Sequence, residues 1–535
     1  MVKILFFSPF SILHPTFQTR SQKDLEILDK IYSNSILLGD DSPQGWGIQY
    51  AREFDMTNDS KLFPPRPKWE AQGYIADEYG HWLKGNWQEI GELGVESGEW
   101  AVDVLSRPQG VILSRDKTQF IRVEEVEDIA LPLYEGRMIG QFDFSEKGWV
   151  SGKGRSAEWR DIDFQNKIID PQFLMSYKDF LDKGSFKGLR TGFLAIGSST
   201  NARSMISSVI NSIPCGNSVP IFQTNIKILG QLGLVFMLNN LIYDFSLRAR
   251  LGGININYFV VEETPLLKPE HINKYKEILK FVARLNLIGI SFAREWLEVS
   301  SNNGENLKSK NLYQNWAITQ YERLRLRIII DASIAHIYNL EISDFSWILR
   351  NCDQPKQIMQ DKAFYRTLDP KGFWRVDKEK DPELRHTVLS LVAFHELKKI
   401  GLEAFLNLND GEGWMLPDTL RLADYGLGHG DRAQAPQPVT ARFALEDWDN
   451  QPVPANAPIS YRQRFYPWQL AKTPEQSWAE CQLHAENLRL LLKQDQPPEP
   501  TPTKSEKLPS DPDYQPPTDL FGNPLQVDLF GNVIT

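Results

Sequence analysis

The chain has 535 residues, 41% of them hydrophobic with 15 Trp and 29 Phe, and a net charge of −10, so it has material for more than one buried unit. Its three cysteines, Cys215, Cys352 and Cys481, are odd in number and far apart, which excludes a disulfide framework and a cysteine-based metal knuckle. No apolar run reaches the length of about 18 residues that a membrane span needs; the nearest, at 229–245, is interrupted by Asn239, Asn240 and Asp244.

In chain order, MVKILFFSPFSIL at the start reads as a strand rather than a secretory leader, because Pro9 interrupts it and no small-residue cleavage site follows. A cytoplasmic protein without a membrane partner is expected. KDLEILDKIY, at 23–32, has apolar residues at helical spacing. Residues 40–130 are rich in Trp, Gly and Pro with short alternating runs, a mixed α/β reading. Between 190 and 260 strand-like pieces (TGFLAIGSS, NYFVVEET) alternate with helix-like ones. There, Thr200-Asn201 reads as an N-cap for a helix over ARSMISSVINSI, and Gly252-Gly253 as the stop of a helix over LGLVFMLNNLIYDFSLRARLG. Residues 268–349 are helical, with Arg323, Arg325 and Arg327 forming either a solvated face or a phosphate-facing edge. Short helices and loops fill 351–435, and an amphipathic helix spans 470–493. After Lys493 a Pro-rich run cannot bury a core and reads as disordered. The expected class is α/β (mixed α+β).

Residues 131–261 hold 14 Lys and Arg against 10 Asp and Glu, +4 in a chain of −10, which leaves −14 for the rest. A cationic island of this kind suits a polyanion, because local charge governs site chemistry. The segments PLYEGRMI (132–139), STNARSMI (199–206) and LGGININYF (251–259) resemble the C-terminal half of type IIG-like restriction–modification enzymes, which fuse an adenine-specific DNA methylase to an endonuclease. WGIQYAREFDMTNDSKLF (46–63), RLRLRIIIDASIAHIYNLEISDFSWIL (323–349) and DPELRHTVLSLVAFHELK (381–398) extend the resemblance in the same order. It implies a remnant or docking segment of the methylase domain at 1–99 and a target-recognition domain at 100–262. A helical region at 265–350, an accessory region at 351–493 and a disordered tail at 494–535 complete the expected organisation.

The methylase's own chemistry is not legible. Methyl transfer to an exocyclic amine in this family needs a Gly-rich cofactor loop and an Asn/Asp-Pro-Pro-aromatic motif that holds a flipped base. The Pro-Pro pairs here, Pro64-Pro65, Pro497-Pro498 and Pro516-Pro517, have neither the acid or amide before them nor the aromatic after. S-adenosylmethionine and Mg²⁺ are therefore expected only in a separately encoded methylase/endonuclease half. The acidic-lysine runs VDKEKD (376–381) and YKEILK (275–280) read as charged surface, not as a nuclease centre. His386 and His395, nine apart, read as a capping or core-edge pair rather than metal ligands.

Duplex DNA is the expected partner. GKGRSAEWR supplies Lys153, Arg155 and Arg160 with Trp159 on a Gly-rich loop, either an ordinary solvent loop or a contact to guanine acceptors and phosphates. Arg137 and Arg190 add charge on either side of it. Thr200, Asn201 and Arg203 at the expected helix start would attract phosphate or read adenine, a simple cap being the other reading. Arg248, Arg250, Asn255 and Asn257 surround the Gly-Gly turn, which equally suits a buried helix-to-strand connection. In the tail, Gln526, Leu529 and Phe530 resemble the short peptide that docks bacterial DNA-processing proteins on the replication sliding clamp, and strand addition to the chain's own body is the alternative. The expected function is sequence-specific DNA recognition for restriction–modification; the alternative is a non-catalytic protein that docks on the clamp.

Overall fold

The computed structural model describes residues 21–93, 106–164, 167–183, 188–223, 226–302, 311–415 and 472–493. The expected N-terminal strand, the region 416–471 and the tail with Gln526, Leu529 and Phe530 lie outside the described residues.

The longer helices are α1 (Gln22–Ser33), α2 (Ile228–Leu238), α3 (Leu241–Arg250), α4 (Lys276–Asn286), α5 (Ala293–Asn302), α6 (Gln320–Ile337), α7 (Ile342–Ile348), α8 (His386–Ile400), α9 (Leu402–Gly411) and α10 (Pro474–Leu491). The strands are β1 (Ile36–Leu37), β2 (Gln49–Ala51), β3 (Ile75–Ala76), β4 (Trp82–Gly85), β5 (Gln88–Glu89), β6 (Val111–Leu113), β7 (Gln119–Arg122), β8 (Val126–Pro132), β9 (Lys147–Ser151), β10 (Glu158–Asp161), β11 (Leu174–Ser176), β12 (Arg190–Phe193), β13 (Ser207–Ile210), β14 (Ile221–Gln223) and β15 (Pro265–Leu266). They pair antiparallel in small sheets: β11-β8-β4-β3, β13-β12-β14-β2, β5-β7-β6, and the two-stranded pairs β9-β10 and β1-β15. This is a mixed α/β protein, as the sequence implies.

Local chemistry starts the helices where the spacing predicts them. Ser21 accepts from the Asp24 amide at the head of α1, Thr319 from the Glu322 amide at the head of α6, and Thr473 with Gln476 forms a capping box around Pro474 at the head of α10. Long-range ties then position them. Lys23 and Lys30 of α1 both bond Asp344 of α7, at 2.7 and 2.6 Å. Burial alone would raise the Asp344 carboxyl, but the two lysines override it and hold the group at about 2. One apolar core runs from Ile27 through Leu131, Phe193, Leu238 and Ile329 to Leu491, so residues from every described segment share it.

Three expectations change. The stretch after Thr200-Asn201 is not a helix: Ser207–Ile210 is the fully buried edge strand β13. Its free edge meets two buried amide side chains in place of a further strand. Asn239 bonds the Ser207 N–H (3.0 Å) and C=O (2.8 Å), and Asn286 bonds the Val209 N–H (3.0 Å) and C=O (3.1 Å). Each amide supplies one donor and one acceptor, so the strand's polar groups stay satisfied inside the core. The apolar run at 228–250 is likewise not one helix, because α2 and α3 meet at 64°. The Asn240 side chain donates to the Phe236 and Met237 carbonyls and accepts from the Tyr243 amide, closing one helix and opening the next. No single helix among the described residues is long and apolar enough to cross a membrane.

Finally, Arg323 and Arg325 are neither a solvated face nor a phosphate edge, since both are buried. Arg323 donates to the carbonyls of Leu285, Ala317 and Phe142 and lies 3.9 Å over the Phe164 ring. Arg325 and Arg284 enclose Glu322 at 2.6 and 2.8 Å, with Glu412 on the outer side of both. These cations hold the core together by satisfying carbonyls and a carboxylate that burial would otherwise strand.

Candidate nucleic-acid interface

β9 and β10 form a hairpin in which Trp159 pairs with Trp149, Arg160 with Gly148 and Asp161 with Lys147. Its tip is built on glycine. Gly152 has φ +75°, and a Cβ there would stand 2.3 Å from the Ser156 carbonyl oxygen. The Gly152 carbonyl accepts from Trp149 Nε1 (3.1 Å) and Gln172 Nε2 (3.2 Å), so the turn is anchored at its base. Lys153 and Arg155 project from this tip, both exposed and without an ion pair among the described residues.

Beneath the tip lies a charge cluster that the sequence did not reveal. The buried carboxylate of Asp170 receives three arginines: Arg66, Arg115 at 3.3 Å and Arg160 at 3.1 Å. Glu70, 3.4 Å from Arg66, adds a second carboxylate, so three guanidinium groups against two carboxylates leave a local excess of one positive charge. Arg66 lies 4.9 Å over Trp149, Arg115 4.8 Å over Trp82 and Arg137 5.9 Å over Trp159, so each cation also rests on an indole face. Arg160 keeps 60% of its side chain exposed despite its bond to Asp170, which leaves it able to reach an outside anion. Arg66 opens the short helix Arg66–Glu70, entered through Pro64-Pro65, and its partner Asp170 is 104 residues away.

Glu135, two residues before Arg137, is the exception in this neighbourhood. One of its carboxylate oxygens is buried without a partner, and burial pushes the group up to about 7 against the opposing pull of Arg137. A raised carboxyl pKa means that the folded state holds a proton the unfolded chain releases above its ordinary 4.5, so stability falls as pH rises from about 4.5 to about 7. Glu135→Gln is therefore expected to leave stability unchanged near pH 4 and to raise it near pH 8 by on the order of 2 kcal/mol. Denaturant unfolding at the two pH values checks this, and an equal gap at both contradicts it.

The remaining candidates divide by burial. Thr200 and Asn201 are exposed in a turn where the Ser198 hydroxyl contacts Thr200 Oγ1 at 2.9 Å and the Ser198 carbonyl accepts from the Asn201 amide. Asn255 is exposed and bridges Ile196, while Asn257 is half-buried at the start of a short helix, Tyr258–Glu262. The hairpin and these loops are linked: Arg137 on Trp159 follows Gly136, whose amide donates to Ser218 Oγ at 2.9 Å, and the Ser218 carbonyl accepts from the Ala195 amide.

Of the arginines expected at the DNA surface, Arg190 and Arg248 are buried in the interior, while Arg203 and Arg250 are half-buried and each engaged with a carboxylate. Arg190 is fully buried on β12, paired with Glu53 at 2.8 Å and with the Ile213 carbonyl. Arg248 is buried and gives its Nη atoms to the carbonyls of Asn201, Ala202, Lys371 and Gly372. Arg250 pairs with Glu263, and Arg203 with Asp244 at 2.8 Å. Arg190 and Arg248 share a physical reason: each stands where strands and loops turn carbonyls or a carboxylate inward, and one guanidinium satisfies several of them at once. The expected histidine pair is also separated, with His386 buried 2.7 Å from Asp331 and His395 exposed.

Beside the Asn255 turn, Ile196, Ile254, Tyr258 and Phe259 are large apolar side chains open to solvent. Carboxylates stand near one of them: Glu262 foremost, with burial and Asp41, pushes the Tyr258 phenol up to about 12. No family model matches the chain, and no curated protein matches it either.

Proposed function

We propose that the chain is the DNA-recognition part of an adenine-specific restriction–modification system. In this reading the β9–β10 hairpin lies along the phosphate backbone and the loops at 198–201 and 252–257 approach base edges. The observation that carries it is the hairpin tip: two unpaired cations on a glycine-built turn, backed by three arginines that share one carboxylate. Phosphate contacts of this type set register and orientation, and exposed Asn201 and Asn255 are suited to adenine. Methyl transfer, with S-adenosylmethionine and Mg²⁺, belongs to a separately encoded partner.

The exposed Ile196, Ile254, Tyr258 and Phe259 support that partnership, because a cluster of large apolar side chains open to solvent suits a protein surface. The test is selection from a pool of randomised duplexes, with the chain alone and with the product of a neighbouring methylase gene. Enrichment of one short sequence is expected. Recovery of the unselected pool in both arms contradicts sequence recognition.

A further inference from the structure

Arg203 is more than a cross-link to Asp244. Its side chain is 10% exposed, its Nε donates to Asp244 Oδ2 at 2.8 Å, and Nη1 and Nη2 are buried with no partner. Asp244 is already satisfied from elsewhere, because the amides of Ser204 and Met205 reach its two oxygens at 3.0 and 2.7 Å. Buried guanidinium nitrogens left over in this way cost free energy unless something accepts their protons.

The neighbouring helix presents a second free cation. Leu241 of α3 donates its amide to Asp331 of α6 at 2.8 Å, which locks the two helices together one turn from Arg327. Arg327 bonds the Arg323 carbonyl through Nε at 3.3 Å and has no carboxylate within 4 Å among the described residues. Burial lowers its pKa, and the Arg203 charge lowers it further while Asp377 and Asp331 oppose; His386 responds to the same two arginines. The local carboxylates are all engaged. Asp331 stands 2.7 Å from His386 Nε2, and Asp377 accepts from the His386 amide and pairs with Lys380 at 3.2 Å.

We propose that Arg203 and Arg327 together form a binding site for a phosphate-class oxyanion, held between the 198–205 loop, α6 and the start of α8. Paired guanidinium groups with free nitrogens match the several oxygens of such an ion. The exposed Thr200 and Asn201 lie on the same loop, so a DNA backbone phosphate is one source, and that source alone rests on the DNA-recognition reading; a free phosphate ion is the other.

The experiment is thermal unfolding of the full chain in sodium phosphate against sodium chloride at equal ionic strength and pH. Wild type is expected to gain about 3 °C or more in saturating phosphate, since a ligand that binds only the folded state raises its midpoint. Arg203→Met and Arg327→Met are expected to lose this gain. Arg327→Met breaks no ion pair, so it remains informative if Arg203→Met unfolds. Equal midpoints of wild type in the two salts, or a full phosphate response in Arg327→Met, overturn the site. Duplex DNA that abolishes the phosphate response assigns the oxyanion to the backbone. A response untouched by bound duplex assigns it to a free ion and leaves the hairpin to be judged by its own variants.

Discussion

Glu322→Gln is expected to destabilise the protein by about 3–5 kcal/mol, the cost of leaving buried charges without their counter-charge. Glu322 is 3% exposed and lies between Arg325 and Arg284, and the variant leaves both guanidinium groups in the core with Glu412 as their sole carboxylate among the described residues. Burial works to raise the Glu322 carboxyl, but Arg325 and Arg284 outweigh it and the group stands below its ordinary 4.5. A depressed carboxyl contributes stability that is complete above the unfolded value and disappears as pH falls through the folded one. The gap between wild type and variant should therefore be widest near neutrality and close in acid. Urea unfolding followed by tryptophan fluorescence measures it, and a loss below about 1 kcal/mol at neutral pH would mean that the network is not a source of stability.

The second large effect concerns the hairpin. If the chain engages about six phosphates, affinity for duplex DNA falls about a thousandfold between 50 and 200 mM salt. Lys153→Ala, Arg155→Ala and Arg160→Ala combined remove three of those contacts, so the logarithmic salt slope should shrink by about 2.7 and the same salt change should cost about fortyfold. Lys153 and Arg155 have no ion pair among the described residues, so folding should be little affected, while Arg160 gives up one of three bonds to Asp170. Fluorescence anisotropy across a salt series reads the slope. An unchanged slope removes the hairpin from the interface.

The helices were legible where a single face is apolar and a cap residue stands at its head. KDLEILDKIY became α1 and the segment before Lys493 became α10. Legibility failed where distant groups decide the outcome. ARSMISSVI has a cap-like start, yet part of it pairs with β12 as a strand, and Asn239 and Asn286 from elsewhere in the chain satisfy its other edge. Charge was misread for the same reason. Arg190, Arg248, Arg323 and Arg325 look like surface cations because their acceptors, mostly backbone carbonyls, carry no signature in sequence. The glycine-hinged loop was visible, whereas the Asp170 cluster beneath it was not, since Arg66 and Arg115 reach it from 104 and 55 residues away.

The proposal that the hairpin grips DNA is tested most directly by hydrogen exchange of the full chain with and without a bound duplex. Slower exchange is expected in the amides of residues 147–161 and 196–203, with the buried strand β12 unchanged. Binding without added protection in the hairpin, or no binding to any duplex at low ionic strength, would contradict it.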